Sequence, residues 1–281
     1  MKISCLQENL AKGLSVVSRA VSTRSTLPVL ANVLLSTDNG RLKLSATNLE
    51  IVITCWIGAK VEDEGAITVP ARTLNDLVST LPQEQVHLAL NEKTQTLHVS
   101  CARTEANIKG IDAQEFPLVP EPDRNHRIRV EADVFKQMIS QVAFAAAVDD
   151  TRPTLTGVST KFSDSQVTMA ATDGFRLSVR SAHIPGHVER ATNVIIPSRA
   201  LNEVARVTGE DNEAIYISLP EGRNQIIFDL ENVVIVSQLI DGNFPDYTPI
   251  IPKRHTTRTV MGTADFRKAC KTAEIFARES S

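Results

Sequence analysis

The sequence predicts an α+β protein built from a repeated helix-and-strand unit. Landmarks in the first half recur in the same order roughly 125 residues later. The hydrophobic period switches between helical and alternating in the same sequence of steps in both halves. A proline opens the second helix of each half, at Pro70 and Pro197.

The landmarks are specific. Leu44-Ser45-Ala46-Thr47-Asn48-Leu49-Glu50 is answered 125 residues on by Met169-Ala170-Ala171-Thr172-Asp173-Gly174-Phe175. Ile67-Thr68-Val69-Pro70-Ala71-Arg72 matches Val194-Ile195-Ile196-Pro197-Ser198-Arg199 at 127, and Phe116-Pro117 matches Phe244-Pro245 at 128. Three ordered landmarks drifting by three residues exclude coincidence as the simple reading. Thr263 to Cys270 parallels Glu131 to Met138, so a third copy is expected to begin near Thr259, with room for only one helix before Ser281. The expected domains are 1–125, 126–252 and an incomplete 253–281.

Each half opens with an amphipathic helix: Leu6, Leu10, Leu14, Val17 and Val21 recur at helical spacing, as do Phe135, Met138, Ile139, Val142 and Ala146. Alternating strands follow at Val33 to Ser36 and Leu42 to Ala46, around the hairpin signal Asn39-Gly40. Their counterparts are Val158 to Phe162 and Val167 to Ala171, around Asp164-Ser165. A third strand runs over Val52 to Ile57 or Leu177 to His183. A second helix carries Leu74, Leu77, Val78 and Leu81, or Leu201, Val204 and Val207. Three more strands close each half, the last being Ala106 to Ile111 or Val233 to Leu239. Each repeat thus reads helix, three strands, helix, three strands, with the helices together on one face and strand edges pairing between neighbours.

Composition narrows the function. A chain of 281 residues with 42% hydrophobic content can bury a core in each half. Lys and Arg number 30 against 33 Asp and Glu, so any contact with nucleic acid must come from a locally basic face. Aromatic residues make up 4%, too few for a platform that stacks single-stranded bases. Cys5, Cys55, Cys101 and Cys270 are widely spaced and form no Cys-x-x-Cys pair; they are expected as reduced thiols of a cytoplasmic protein. No apolar run approaches the roughly 20 residues that a membrane span needs.

Thr26-Leu27-Pro28-Val29-Leu30 with Asn32, Ala171-Thr172-Asp173-Gly174-Phe175-Arg176-Leu177, and Asp241-Gly242-Asn243-Phe244-Pro245-Asp246-Tyr247 carry a resemblance to a known family. The chain resembles the bacterial β sliding clamps, processivity subunits of the replicative DNA polymerase III. The resemblance spans the whole chain. It implies the DNA-clamp fold, in which three such repeats per chain and two chains close a homodimeric ring with helices inside and sheets outside, and it implies a protein that is not an enzyme. Sequence-independent double-stranded DNA binding would fall to Arg24, foremost, and to Arg72, Lys12, Arg19, Lys136, Arg199 and Arg206. Arg72 and Arg199 occupy matching positions of matching helices. Lys268, Arg267, Lys271 and Arg278 add charge near the end.

The resemblance further implies a groove for short motifs of the polymerase catalytic subunit, the clamp loader, repair polymerases and mismatch-repair proteins. Its matching residues are Arg152, Leu155, Thr172, Gly174, Phe175, Arg176, Leu177, Pro245 and Ile250. The plain alternative for Thr172-Asp173-Gly174 is a turn, against which stands Thr47-Asn48-Leu49-Glu50, with neither Gly nor Arg. Pro249 and Pro153-Thr154 depart from the family pattern. Arg103, Ile108, Ile275 and Phe276 are the expected dimer contacts. No cofactor or metal is expected: His183 and His187 flank Pro185-Gly186, which breaks any helix and predicts a polar loop, and Asp149-Asp150 lacks a third acidic ligand. Two other readings stay open, a clamp-like interaction protein that closes no ring and a metal-dependent nuclease.

Overall fold

A computed structural model describes residues 1–22, 26–123, 126–149, 151–209 and 212–277. The chain forms two compact units, Met1–Phe244 and Pro245–Ser281.

The larger unit holds both repeats: the first has nine strands against the six expected, and the second has six, gaining an opening strand while two expected strands run together. The first runs β1 (Lys2–Leu6), α1 (Gln7–Val17), β2 (Asn32–Asp38), β3 (Arg41–Thr47), β4 (Ile51–Gly58), β5 (Lys60–Asp63), β6 (Ala66–Pro70), α2 (Ala71–Thr80), β7 (Gln85–Asn91), β8 (Thr96–Cys101) and β9 (Thr104–Lys109). The second runs β10 (Ile128–Glu131), α3 (Ala132–Val142), β11 (Gly157–Thr172), β12 (Leu177–Pro197), α4 (Ser198–Val207), β13 (Ala214–Ser218), β14 (Gln225–Asp229) and β15 (Val233–Gln238). The opening strands β1 and β10 were not legible in the sequence because their worth lies in pairing: β1 lies antiparallel to β7 and β10 to β13, both distant in sequence. Leu6, expected in the helical stripe, instead ends β1 and is exposed.

The helices follow from their apolar spacing. Leu10, Leu14 and Val17 of α1, and Phe135, Met138, Ile139 and Val142 of α3, face inward and are buried. The shorter α2 buries Leu74 and Val78, and α4 buries Leu201 and Val204. Pro70 and Pro197 each end a strand and stand directly before their helix. Their fixed φ of −53° and −50° suits that turn from strand into helix.

Asn39-Gly40 makes the expected hairpin, with φ of 48° and 74°. Its counterpart differs: the two strands expected around Asp164-Ser165 run on as the single element β11, paired with an equally extended β12. The pairing comes in two blocks, Gly157 to Phe162 with Thr192 to Pro197 and Gln166 to Thr172 with Leu177 to His183. Register breaks on either side of Asp164, whose φ of 51° mirrors Asn39. The segment of His183 is strand rather than the expected loop, and the side chain of His187 lies outside what the structure describes.

The repeats fuse through one ladder. β15 pairs antiparallel with β4, Val233 opposite Cys55 through Ser237 opposite Ile51, giving an eight-stranded sheet ordered β10-β13-β14-β15-β4-β3-β2-β6. The alternation of side chains sorts its two faces. Ile53, Cys55, Phe228 and Ile235 join the main core with the buried faces of α1 to α4. Ile227, Val234 and Val236 turn the other way and form a smaller cluster with Val52 and Trp56. Asn232 pins the seam, its carbonyl accepting the Trp56 amide at 3.0 Å and its side chain accepting Arg41 at 3.2 Å. The first repeat's other sheet, β5-β1-β7-β8-β9, ends on β9, which has a strand neighbour on one side only.

Within the smaller unit, α5 (Thr263–Ala277) exposes every residue, including Phe266, Ile275 and Phe276. No helix among the described residues is long and apolar enough to cross a membrane.

Candidate DNA-facing helices and partner groove

The basic residues divide into two groups. Lys12 on α1, Arg72 on α2 and Arg199 on α4 are exposed, and Arg72 and Arg199 are each the second residue of their helix. Lys12 and Arg199 have no ion pair among the described residues, and Arg72 meets only Asp76, one turn on, at 3.7 Å with both side chains in solvent. The other three are tied down. The Lys136 ammonium donates to the Thr208 carbonyl at 3.0 Å, just past the C-terminus of α4, where the helix dipole favours a cation. Arg19 and Arg206 converge on one carboxylate, Glu203 of α4, at 3.7 Å and 3.6 Å. Glu203 is mostly buried, its side chain 13% exposed, so it offsets part of both charges and links the first repeat to the second. Arg24 and Arg278 lie outside the described residues.

Glu203 was missed in the sequence. Its i, i+3 spacing to Arg206 was a readable signal; its approach to Arg19 was not.

In the second repeat, the Thr172-to-Leu177 turn gathers most of the expected groove residues. Thr172 donates to the Arg176 carbonyl at 2.7 Å and accepts the Gly174 amide at 3.0 Å. One carboxylate oxygen of Asp173 accepts the amides of Phe175 and Arg176 at 2.9 Å and 3.0 Å. The first repeat contains the same turn. Thr47 donates to the Ile51 carbonyl and accepts the Leu49 amide, both at 3.0 Å, while Asn48 accepts the amides of Glu50 and Ile51 at 3.0 Å and 2.8 Å. Thr172 and the Asx residue are therefore turn chemistry common to both repeats. What sets the second repeat apart is Gly174 for Leu49, Phe175 for Glu50 and Arg176 for Ile51.

Those substitutions make a polar cluster with an apolar rim. Arg152 donates to the Asp173 carbonyl at 2.8 Å, and Gly174, at φ +92°, leaves room for it: a Cβ there would stand 2.8 Å from Arg152 Nη1. Arg176 pairs with Asp173 at 2.9 Å, and its guanidinium lies 5.6 Å from the centre of the Phe144 ring. Amide donors from Arg176 and Phe175, then the Arg176 charge, hold the Asp173 carboxyl below the usual carboxylate range. Phe175 projects almost fully into solvent, at 97% exposure, whereas Leu155 is buried. Phe144, more than half exposed, was not singled out in the sequence. Pro245 and Ile250 are exposed residues of the smaller unit.

Comparison with known proteins bears on this arrangement directly. Residues 1–120 match the N-terminal domain and residues 129–246 the central domain of the DNA polymerase III beta subunit. The chain belongs to the beta sliding clamp family. It is 31% identical to the beta sliding clamp of Bacillus subtilis over 287 residues, covering 99% of this chain and 75% of that relative. A Staphylococcus aureus beta sliding clamp is 32% identical over 93% of this chain and 70% of its own length. The crystal structure of the Bacillus subtilis sliding clamp superposes with a TM-score of 0.94 at 30% identity, over 100% of this chain and 75% of that one. A Pseudomonas aeruginosa clamp bound to griselimycin matches with a TM-score of 0.83 at 30% identity, over 91% and 69%. As a beta sliding clamp the protein serves the replicative polymerase as a non-catalytic processivity subunit, in a family for which DNA and polymerase binding and dimer formation are general.

The remaining sequence expectations find plain places. Among the described residues no three His, Cys, Asp or Glu side chains come together as a metal cage. Asp149 accepts the backbone and hydroxyl of Thr151 in a loop, and Asp150 lies outside the described residues. The family motif around Val29 and Leu30 packs on Phe116, and Asn32 donates to Thr68 at 3.1 Å, so these residues build the fold. Ile108 is already buried in β9, leaving that strand's backbone edge as what it can offer, while Arg103 lies in the exposed turn before it.

Proposed function

We propose that this protein encircles duplex DNA, with its helices toward the phosphates and its sheets away from them, and tethers replication and repair proteins through the second-repeat groove. The observation that supports this most is the β4–β15 ladder: it merges two repeats into one sheet with the helix-bearing core on one face, and repeated junctions of this kind extend a single wall. The open edge of β9 is the natural site for such a junction with a second chain, with Arg103, Ile108, Ile275 and Phe276 as proposed dimer contacts. Lys12, Arg72 and Arg199 are the principal proposed DNA contacts, joined by Arg24 and, more weakly, by Arg19, Lys136 and Arg206. Because they meet phosphates, binding is independent of base sequence.

The proposed groove residues of the larger unit are Arg152, Leu155, Thr172, Gly174, Phe175, Arg176 and Leu177, with Pro245 and Ile250 of the smaller unit as further proposed peptide contacts, and the proposed occupants are short motifs of the polymerase catalytic subunit, clamp loader, repair polymerases and mismatch-repair proteins. Apolar rim and polar anchors suit such peptides. The proposed domain division is 1–125, 126–252 and 253–281, and the site of action is the cytoplasm, at the nucleoid. The test is topological. Protein loaded by a clamp loader onto nicked circular duplex should be released when the circle is cut once; equal retention on circular and open linear DNA refutes encirclement.

A further inference from the structure

The two copies of one turn isolate what the Asp173 charge does. Asn48 makes the same pair of backbone bonds with a neutral amide, so the turn needs only a side-chain oxygen. The carboxylate's second oxygen is the extra feature, and it lies 2.9 Å from Arg176 Nε. In the first repeat the residue matching Arg176 is Ile51, which has no charge to compensate. Asp thus stands where an Arg follows, and Asn where none does. The backbone carbonyl of Asp173 also fixes Arg152, so this one residue holds both arginines of the cluster. Charge-assisted bonds of this kind are shorter and stronger than neutral ones and set direction as well as distance.

We propose that Asp173 is a positioning and specificity-determining residue of the groove: by compensating Arg176 and holding it against Phe144, it makes this end select apolar over acidic peptide side chains. The inference rests on the groove reading above. Without Asp173 the guanidinium is a free cation beside an exposed aromatic ring, a site for a carboxylate. With it, an incoming acid must displace an acid already in place.

The test compares the wild-type chain with Asp173→Asn, Arg176→Gln and the double variant. Asn keeps the turn, as Asn48 does, so the melting temperature of Asp173→Asn should stay near wild type. The probes are a short apolar peptide and the same peptide with one glutamate, measured by calorimetry. In Asp173→Asn the ratio of affinities should shift about two- to five-fold toward the glutamate peptide, the range that exposed ion pairs produce, and the shift should vanish in the double variant. An unchanged ratio, or a shift that persists without Arg176, overturns the proposal. A second readout needs no peptide: phenylglyoxal should modify Arg176 several-fold faster in Asp173→Asn while Arg72 is unaffected. Equal rates at Arg176 overturn the positioning role. Failure of wild type to bind either peptide counts against the groove instead, and the modification rates still decide the role of Asp173.

Discussion

Replacing Lys12, Arg72 and Arg199 together with alanine should flatten the salt dependence of duplex binding by a calculable amount. Each phosphate contact contributes about −0.9 to the slope of log affinity against log salt, so losing three removes about 2.7. Between 50 and 200 mM salt, wild-type affinity should therefore fall about 40-fold more steeply than that of the variant. The structure selects these three because they are exposed and at most weakly paired, whereas Arg19 and Arg206 share Glu203. Arg206→Ala should accordingly change the slope by less than one full contact. Fluorescence anisotropy with a labelled duplex across that salt range measures both. An unchanged slope in the triple variant, or an equal loss from Arg206→Ala alone, would refute the division of the basic residues.

Further outcomes are expected elsewhere. Phe228, fully buried on β14 with its ring 6.0 Å from that of Phe135, should cost about 3–5 kcal/mol when cut to alanine in urea unfolding, while its counterpart Val99 on β8 should cost about 2 kcal/mol. Gly174→Ala forces a side chain into φ +92° and against Arg152; it should lower the melting temperature and release Arg152 from the Asp173 carbonyl, seen as faster modification of Arg152. Burial pushes the Cys5 and Cys55 thiols up to about 12 and about 11, so iodoacetamide at pH 8 should label exposed Cys270 in the native protein and reach those two only after denaturation. Asp149 and Asp173, both held below the usual carboxylate range, stabilise the fold above about pH 4 and lose that contribution as pH falls through their folded values. A melting profile should decline on that acid side, less steeply in Asp173→Asn.

Much of this architecture can be read from residue patterns because its causes are local. Helical spacing of Leu10, Leu14 and Val17, alternation through β3 and β8, the Asn39-Gly40 turn and the prolines before α2 and α4 each act over a few residues, through backbone dihedrals and one buried face. The 125-residue repeat then multiplies every such signal by two. The proposed groove residues came from resemblance, and the contrast with the first repeat marked Gly174 and Arg176 as special. Thr172 is not set apart by that contrast, since its hydrogen bonds recur at Thr47.

What the pattern could not supply is which surfaces meet. The β4–β15 ladder joins segments about 180 residues apart, and nothing in either strand distinguishes this neighbour from any other apolar edge. Strands β1 and β10 earn their place through β7 and β13. In sequence Arg19, Lys136 and Arg206 were not set apart from Lys12, whereas in the fold Glu203 draws in Arg19 and Arg206 and the end of α4 draws in Lys136. Charge and hydrogen-bonding capacity are written in the residues, but whether a group faces solvent or a partner depends on distances that exist only once distant segments have packed.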